Sequence, residues 1–354
     1  MSTHAGGRPI SGVVLRIGPL SMRVRPRAVL VGLLLLAVLA AVGLVSLTTG
    51  DYEASVAEVV DALFGGGPPG LDVVVRRFRL PRLLVAIGVG AALGTAGAVF
   101  QSVTRNPLGS PDVIGFTTGS ATGAIAAILL LRATSFQVAA AAVVGGLLSG
   151  LAVYLLSYRR GAAGFRLILV GIGVSAMLAS VNTYLLSRAS LREAQLAQLW
   201  LLGSVNGRSW EHVVPLWASL AVLLPAVIAM GRGMAMLGLG ADTASALGVR
   251  AERVSLWLML GGVALTAVAT AAAGPIAFVA LAAPQIAVRL VRSGNPTLIP
   301  AALTGAVLLA GADLAGQQLF GPLRLPAGVT TAAVGGIYLI WLLGREWRKG
   351  WSSL

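Results

Sequence analysis

Residues 80–121 read LPRLLVAIGVGAALGTAGAVFQSVTRNPLGSPDVIGFTTGSA. In this stretch an apolar run follows a group of arginines, and Arg105-Asn106-Pro107 separates it from a second run that is rich in glycine and alanine. Small residues let helix backbones approach closely within a membrane. The stretch therefore predicts a helix packed inside a multi-helix bundle, because a single lipid-facing anchor needs neither the glycines nor the polar turn.

The composition places the rest of the chain in a membrane as well. Of its 354 residues, 57% are hydrophobic and 11% are charged, and the mean hydropathy is +0.89. Soluble domains are about 25% charged. The chain has no cysteine, which excludes disulfides and thiolate chemistry, and its two histidines argue against a dedicated metal site.

Ten apolar runs have about the length of a membrane span. They cover residues 28–47, 83–103, 113–131, 138–156, 167–186, 213–230, 254–273, 276–290, 298–319 and 329–343. A short helix is expected at 55–64 and an amphipathic segment within 187–212. The sequence thus predicts an all-α membrane protein, a polytopic bundle of about ten transmembrane helices over residues 28–344, between basic cytoplasmic tails at 1–27 and 345–354.

The distribution of charge predicts the orientation of this bundle. Most of the 26 basic residues fall on one side of the bilayer if both termini are cytoplasmic, which favours an N-in, C-in topology. The arginines between Arg76 and Arg82 are then on the outside, where an acidic partner would explain them. The net charge of +14 does not predict a nucleic-acid partner, because the basic residues lie at the ends of apolar runs.

Three blocks of sequence are informative together. The first is Arg79-Leu80-Pro81-Arg82, the glycine-rich span, Asn106-Pro107-Leu108 and Gly115-x-x-x-Gly119. The second is GADTASALG at residues 240–248. The third is GPIAFVALAAP at residues 274–284, followed by Asp313 and by LPAG at residues 325–328. In this order they resemble the FecCD-type permease subunits of ATP-driven (ABC) importers for ferric siderophores, haem and cobalamin.

The resemblance implies a set of partners and a mode of action. A family member pairs with a second permease subunit and two ATPase subunits in the bacterial cytoplasmic membrane, and an extracytoplasmic binding protein delivers its cargo. A family member is not itself an enzyme and binds no cofactor directly, because the partner subunit binds ATP. A ferric siderophore is the expected cargo, with cobalamin or haem as alternatives. An ion-coupled secondary transporter is the alternative from another class, although Asp313 is the one candidate for the midplane ion ligands that such a transporter needs.

Docking of the binding protein is the role that the resemblance implies for Arg79 and Arg82. The two residues are three apart and would share a helical face, where guanidinium groups can pair with carboxylates; snorkelling arginines that fix helix depth are the alternative. The family often has a further arginine at the position of Gln317, so Arg324 is a possible substitute. This departure favours a heterodimer with a second permease subunit that carries more of the contact.

The segment 240–248 is expected on the cytoplasmic side. Its small residues recur every four positions, so a short helix would have one nearly bare side. The resemblance implies that this segment contacts the ATPase, with five coupling residues: Gly240, Ala241, Ala244, Leu247 and Gly248. A helix packed on its own bundle is the alternative.

Three further residues are candidates for the translocation path or its gate. Pro107 should end the preceding helix near Arg105, and the resemblance places Asn106 and Pro107 near the cytoplasmic end of the path. Asn182 lies in the fifth span, where a buried amide can also hydrogen-bond a neighbouring helix. A histidine usually follows the proline matching Pro284 in the family, and Gln285 at this position excludes a proton relay here.

Overall fold

The computed structural model describes residues 13–17, 20–24, 26–50, 52, 54–112, 115–157, 164–319 and 325–351. These residues are helical apart from one short hairpin and the connecting turns. The helices are α1 (Pro26–Thr48), α2 (Val56–Leu63), α3 (Leu71–Val73), α4 (Leu80–Thr104), α5 (Phe116–Leu131), α6 (Ser135–Ser157), α7 (Gly164–Arg188), α8 (Leu191–Leu201), α9 (Trp210–Ala229), α10 (Gly231–Leu237), α11 (Ala241–Ala246), α12 (Ala251–Ala273), α13 (Val279–Val291), α14 (Leu298–Gln318) and α15 (Ala327–Trp351). A π-helical segment, Val74–Arg79, joins α3 to α4.

The prediction of a helical protein is confirmed. Each of the ten predicted apolar runs overlaps one helix: α1, α4, α5, α6, α7, α9, α12, α13, α14 or α15. Within the described residues, seven helices are long and apolar enough to cross a membrane, and the apolar helices Phe116–Leu131, Val279–Val291 and Ala327–Tyr338 are shorter. The predicted short and amphipathic helices are α2 and α8, and each begins with a capping box.

The structure adds detail at three predicted boundaries. Residues 1–27 include an antiparallel hairpin of β1 (Val13–Ile17) and β2 (Leu20–Val24), and α15 continues to Trp351, past residue 345. Helix α13, which was expected from residue 276, begins at Val279, because Phe278 has a φ of 67° and a left-handed residue cannot continue a right-handed helix.

Helix α4 lies at the centre of the bundle. It packs against α14, α12, α13 and α9, and 83% of its most apolar stretch is buried. Glycines permit this packing: a Cβ atom at Gly90 would lie 2.3 Å from the Gly305 carbonyl oxygen, and one at Gly94 would lie 2.2 Å from that of Ala301. The glycines of the opening stretch therefore bring α4 into backbone contact with α14, as small residues do in membrane bundles.

Two helices at the periphery have little burial. Only 17% of the apolar stretch of α1 and 11% of that of α7 are buried within the chain. Helix α7 packs on α5 and α6, and α1 packs on α14. Both helices leave an apolar side open for lipid or for another subunit.

Successive long helices run in opposite directions, so the bundle has two ends. At one end Arg82 contacts α14 and Arg79 contacts the last turn of α1; we call it the Arg82 end. At the opposite end Arg27 contacts the last turn of α13, and α4 finishes before Asn106; we call it the Asn106 end.

Candidate functional site

At the Arg82 end, Arg82 forms a bidentate ion pair with Asp313. Its Nε and Nη2 donate to the two carboxylate oxygens at 2.8 Å, and the two side chains are 13% and 4% exposed. Gln317 Nε2 donates to the same carboxylate at 2.9 Å, and Arg82 Nη1 donates to Asn206 Oδ1 at 3.1 Å. This network supplies the partner of Asp313 that the sequence left open, and bidentate geometry is the strong form of such a pair.

Arg79 points to a different neighbour from Arg82. Its Nη1 donates to the carbonyl of Leu47 at 2.7 Å and its Nη2 to that of Tyr52 at 2.5 Å. A Cβ atom at Gly50 would lie 2.7 Å from Nη2, so the glycine makes room for the guanidinium. A cation at these carbonyls stabilises the C-terminal end of α1. Arg79 and Arg82 therefore each have an intramolecular contact of their own, and their docking role stays a prediction.

The remaining charge at this end comes from other arginines. Arg76 and Arg77 are exposed, and Trp210 Nε1 donates to the carbonyl of Arg76 at 2.8 Å. Arg208 was not predicted; it donates to the carbonyl of Ser204 at 3.1 Å, and burial lowers the pKa of its guanidinium. Arg324, the third predicted docking residue, lies outside the described residues.

At the Asn106 end, the predicted turn is present. Helix α4 ends at Thr104, close to the end that Pro107 predicted, and Arg105 follows as a left-handed cap with a φ of 50°. Asn106 Oδ1 accepts a hydrogen bond from the Leu108 backbone N–H at 2.9 Å, which closes the turn. Pro107 and Leu108 are exposed, so this turn presents an apolar tip beyond the bundle.

A cleft of about 810 Å³ opens beside this turn, and we call it the Asn106 cleft. Its walls are the first turn of α1, residues 101–107, α10, the end of α13 and residues 293–300. Gln285 Nε2 donates to Gln101 Oε1 at 2.7 Å, and Gln101 Nε2 donates to the Leu281 carbonyl at 3.0 Å. Sequence analysis missed Gln101, although a glutamine inside an apolar run was a visible signal.

The segment 240–248 forms α11 and the turn after it. Gly240 has a φ of 108° and Gly248 a φ of 84°, which glycine adopts without strain. Ala244 is fully buried, and it belongs to the main hydrophobic core. Of the small residues spaced four apart, Ala244 therefore packs on its own bundle while Gly248 is exposed, and the contact of this segment with an ATPase stays a prediction.

The exposed residues of this segment lie on the other side of α11. Thr243 is exposed, and so is Leu247, whose side chain is 60% accessible. The backbone of Ala241 begins the helix. A partner at the Asn106 end would meet these residues and Gly248.

Asn182 lies on the mostly exposed helix α7. The residue itself is 9% exposed, and its Oδ1 has no hydrogen-bond partner within the described part of the chain. The expected hydrogen bond of this oxygen to a neighbouring helix is not formed there. An amide oxygen buried without a partner is costly, and no described group offsets that cost.

Asp112 is a further acid that the sequence analysis missed. It lies in the connection between α4 and α5 and accepts a hydrogen bond from Thr117 Oγ1. Burial raises the pKa of the Asp112 carboxyl, and the hydrogen bond from Thr117 offsets part of that effect. Among the described residues no group of three or more His, Cys, Asp or Glu could hold a metal ion.

Comparison with known sequences gives a consistent result. Residues 35–345 match the model of the FecCD transport family. The ferric enterobactin transport system permease protein FepG of Escherichia coli K12 is 48% identical over 91% of this chain and 98% of its own length. The achromobactin transport system permease protein CbrC of Dickeya dadantii is 39% identical, over 89% of this chain and 91% of its own.

Comparison with solved structures supports the same fold. A metal-chelate type ABC transporter in an inward-facing conformation has 26% identity and a TM-score of 0.79, over 89% of this chain and 99% of its own. PsaBC from Streptococcus pneumoniae, solved with a Fab, has 17% identity and a TM-score of 0.53 over 81% of this chain and 94% of its own, a likeness of fold alone.

Proposed function

The chain belongs to the FecCD transport family, and from this premise we propose that it is the permease subunit of an ABC importer for a ferric siderophore. It is an integral membrane protein and a transport subunit rather than an enzyme. The 48% identity to the ferric enterobactin permease over nearly the full length of both chains carries the proposal. Cobalamin and haem are the alternative cargoes.

The proposed topology has ten membrane crossings with both termini in the cytoplasm. The ten long helices alternate in direction, and the N-in, C-in orientation puts most basic residues inside. The Arg82 end then faces outward from the bacterial cytoplasmic membrane and the Asn106 end faces the cytoplasm. Residues 28–344 form the proposed membrane domain, and the proposed cytoplasmic segments 1–27 and 345–354 include the hairpin and the end of α15.

The orientation can be tested directly, because the chain has no native cysteine. Phe64 at the Arg82 end is 89% exposed, and Thr243 at the Asn106 end is exposed. In intact spheroplasts a membrane-impermeant maleimide should label Phe64→Cys and should reach Thr243→Cys only after lysis. The opposite labelling pattern would refute the orientation.

The proposed partners follow from the surfaces that the chain leaves open. A second permease subunit would cover the exposed side of α7, and Gln317 at the position of a family arginine favours a partner that is a different chain. The translocation path would lie between the two permeases, with Asn106 and Pro107 at its cytoplasmic end. Two ATPase subunits would bind ATP and contact α11 and Leu247, and rigid-body movement of that seat would transmit their closure to the bundle.

An extracytoplasmic binding protein would dock at the Arg82 end. The proposed docking residues are Arg79, Arg82 and Arg324, and the exposed Arg76 and Arg77 extend the same positive surface. Since Asp313 neutralises Arg82, the proposed contribution of Arg82 is to position the docking surface, and the long-range positive charge would come from Arg76 and Arg77. An acidic surface on the binding protein would complement this charge.

Transport in proteoliposomes tests the proposal as a whole. The chain is reconstituted with its partner permease, its ATPases and the loaded binding protein, and uptake of iron-labelled siderophore is measured. We expect uptake with ATP, none with an ATPase variant that cannot hydrolyse it, and no effect of a protonophore. Uptake that follows a proton gradient and ignores ATP would refute an ABC importer, and uptake of haem or cobalamin in place of the iron chelate would refute the cargo.

A further inference from the structure

The Asn106 cleft has the size and the mixed surface of a ligand site. Its volume of about 810 Å³ lies within the range of small-molecule sites in proteins. Polar groups from α4 and from residues 293–297 line one part, and apolar side chains from α9, α13 and α14 line another. None of the described residues that line the cleft is acidic.

The charge around the cleft is positive. Arg105 lines it directly, Arg27 precedes the lining residue Ala28, and Arg292 lies between two lining residues of the α13 end. All three arginines are exposed, and none forms an ion pair with a described residue. Arg27 Nε donates to the carbonyl of Leu290 at 2.9 Å, which holds this arginine against the same end of α13. Three cations without a countercharge would attract an anionic ligand.

The wall of the cleft contains two hydroxyl groups without partners. Ser102 and Ser293 are each 7% exposed, and their Oγ atoms accept and donate no hydrogen bond within the described part of the chain. Buried polar groups in proteins are generally satisfied by protein, water or ligand. Both residues line the cleft, and because the two Oγ atoms are themselves buried, a ligand oxygen in the cleft would reach them only after rotation of the serine side chains.

Apolar side chains at the cleft determine what kind of anion fits. Ile228 is 38% exposed and Ile299 is 50% exposed, and both line the cleft. A free phosphate ion has no apolar part that could contact this surface, whereas a phospholipid carries a phosphate and acyl chains in one molecule. Basic pockets between transmembrane helices on the cytoplasmic side bind anionic lipid headgroups.

We propose that the Asn106 cleft binds an anionic phospholipid, with its phosphate at Arg105 and its acyl chain over Ile228 and Ile299. Arg27 and Arg292 add attraction at the rim. The cleft shares Asn106 and Pro107 with the proposed cytoplasmic end of the translocation path, and it lies at the opposite end of the bundle from the docking surface. Only the assignment to the cytoplasmic leaflet rests on the proposed orientation; binding itself does not depend on transport.

Lipid binding to the purified full chain tests the proposal. Native mass spectrometry counts bound lipid, and thermal unfolding in detergent measures the stabilisation that a bound ligand gives. The probes are phosphatidylglycerol, phosphatidylcholine and inorganic phosphate. We expect one tightly held phosphatidylglycerol that raises the unfolding temperature, with little effect of the other two probes.

Two variants and a matched control locate the site. Arg105→Gln should weaken phosphatidylglycerol binding about fivefold, the effect of one basic residue near an anionic membrane surface. Ala235→Trp fills the cleft from an exposed position on α10 and should abolish binding. Arg77→Gln removes an exposed arginine at the opposite end and should leave the affinity unchanged.

Three outcomes would overturn the proposal. If phosphatidylcholine bound as tightly as phosphatidylglycerol, the cleft would not recognise charge. If inorganic phosphate stabilised the chain as much as phosphatidylglycerol, the cleft would not recognise the acyl chain. Equal phosphatidylglycerol affinity of the Arg105→Gln and Arg77→Gln variants would show that the lipid does not bind in the cleft, and this comparison does not depend on whether Ala235→Trp folds. Because the assay contains neither ATPase nor cargo, its result is independent of the proposed transport function.

Discussion

Gly97 is the position where a single added methyl group should have the largest measurable effect. It lies on α4 against α13, and a Cβ atom there would stand 1.7 Å from the carbonyl oxygen of Ala280 and 2.6 Å from its carbonyl carbon. That carbonyl is free to face α4, because Pro284 four residues later has no N–H to donate to it. The close approach of the two backbones therefore depends on the proline as well as on the glycine.

The size of the effect follows from these distances. The Ala280 oxygen would have to retreat by about 1.7 Å to reach the 3.4 Å of ordinary van der Waals contact. The obstacle is backbone, so no side-chain rotation relieves it and α13 must move as a body. Overpacking costs about 1–3 kcal/mol, and we expect the upper value of about 3. Replacing glycine by alanine in a helix recovers roughly 0.5–1 kcal/mol, which leaves about 2 kcal/mol of destabilisation for Gly97→Ala.

Thermal unfolding in detergent, followed by tryptophan fluorescence, measures this difference. The chain has seven tryptophans as reporters. Gly311→Ala on α14 is the matched control, because no heavy atom lies within 4 Å of the Cβ position at Gly311. We expect Gly97→Ala to lower the unfolding temperature and Gly311→Ala to leave it unchanged or raise it slightly. Equal unfolding temperatures for the two variants would refute the close packing of α4 on α13.

Three further predictions concern the ion pair, the cap of α8 and the coupling segment. Asp313→Asn leaves the Arg82 guanidinium without its countercharge, so the free energy of unfolding should fall by about 3–5 kcal/mol. Strictly additive losses of stability in a double-mutant cycle with Arg82→Met would contradict the pairing. Hydrogen bonds from the N-cap serine hold the pKa of Glu193 below its ordinary value of 4.5, so their stabilisation of α8 is present above pH 4.5 and is lost as the pH falls through the lowered pKa. Amide exchange in α8 should accelerate at that pH in the native chain. The same pH dependence in a Glu193→Gln variant would show that Glu193 is not its origin. Leu247→Asp should reduce stimulation of the ATPase without changing the unfolding temperature. Ala244→Leu should lower the unfolding temperature, because Ala244 is buried. The reverse pattern would show that Ala244 faces the partner.

The local features of this chain were readable from the sequence. Apolar runs of membrane length predicted the long helices, and Pro107 predicted the end of α4 near Arg105, because both depend on neighbours along the chain. The order of three short blocks indicated the family. Phe278 shows the limit of this approach, since nothing in its own side chain predicts a left-handed backbone. Gly335 on α15 leaves room for it, because a Cβ atom there would lie 2.3 Å from Cβ of Phe278.

Only the tertiary structure decided which side of each helix faces which neighbour. The sequence put Arg79 and Arg82 on one face, but it did not show that Arg79 caps α1 or that Arg82 pairs with Asp313 on α14. It predicted a side of small residues on α11, but it did not show that Ala244 on that side is buried against the bundle. The physical reason is that a helix such as α4 is apolar on all sides, so its residue pattern does not indicate how it is rotated about its own axis, and therefore which side faces which neighbour. In the membrane that rotation is set by close packing and by a few polar pairs between helices distant in sequence.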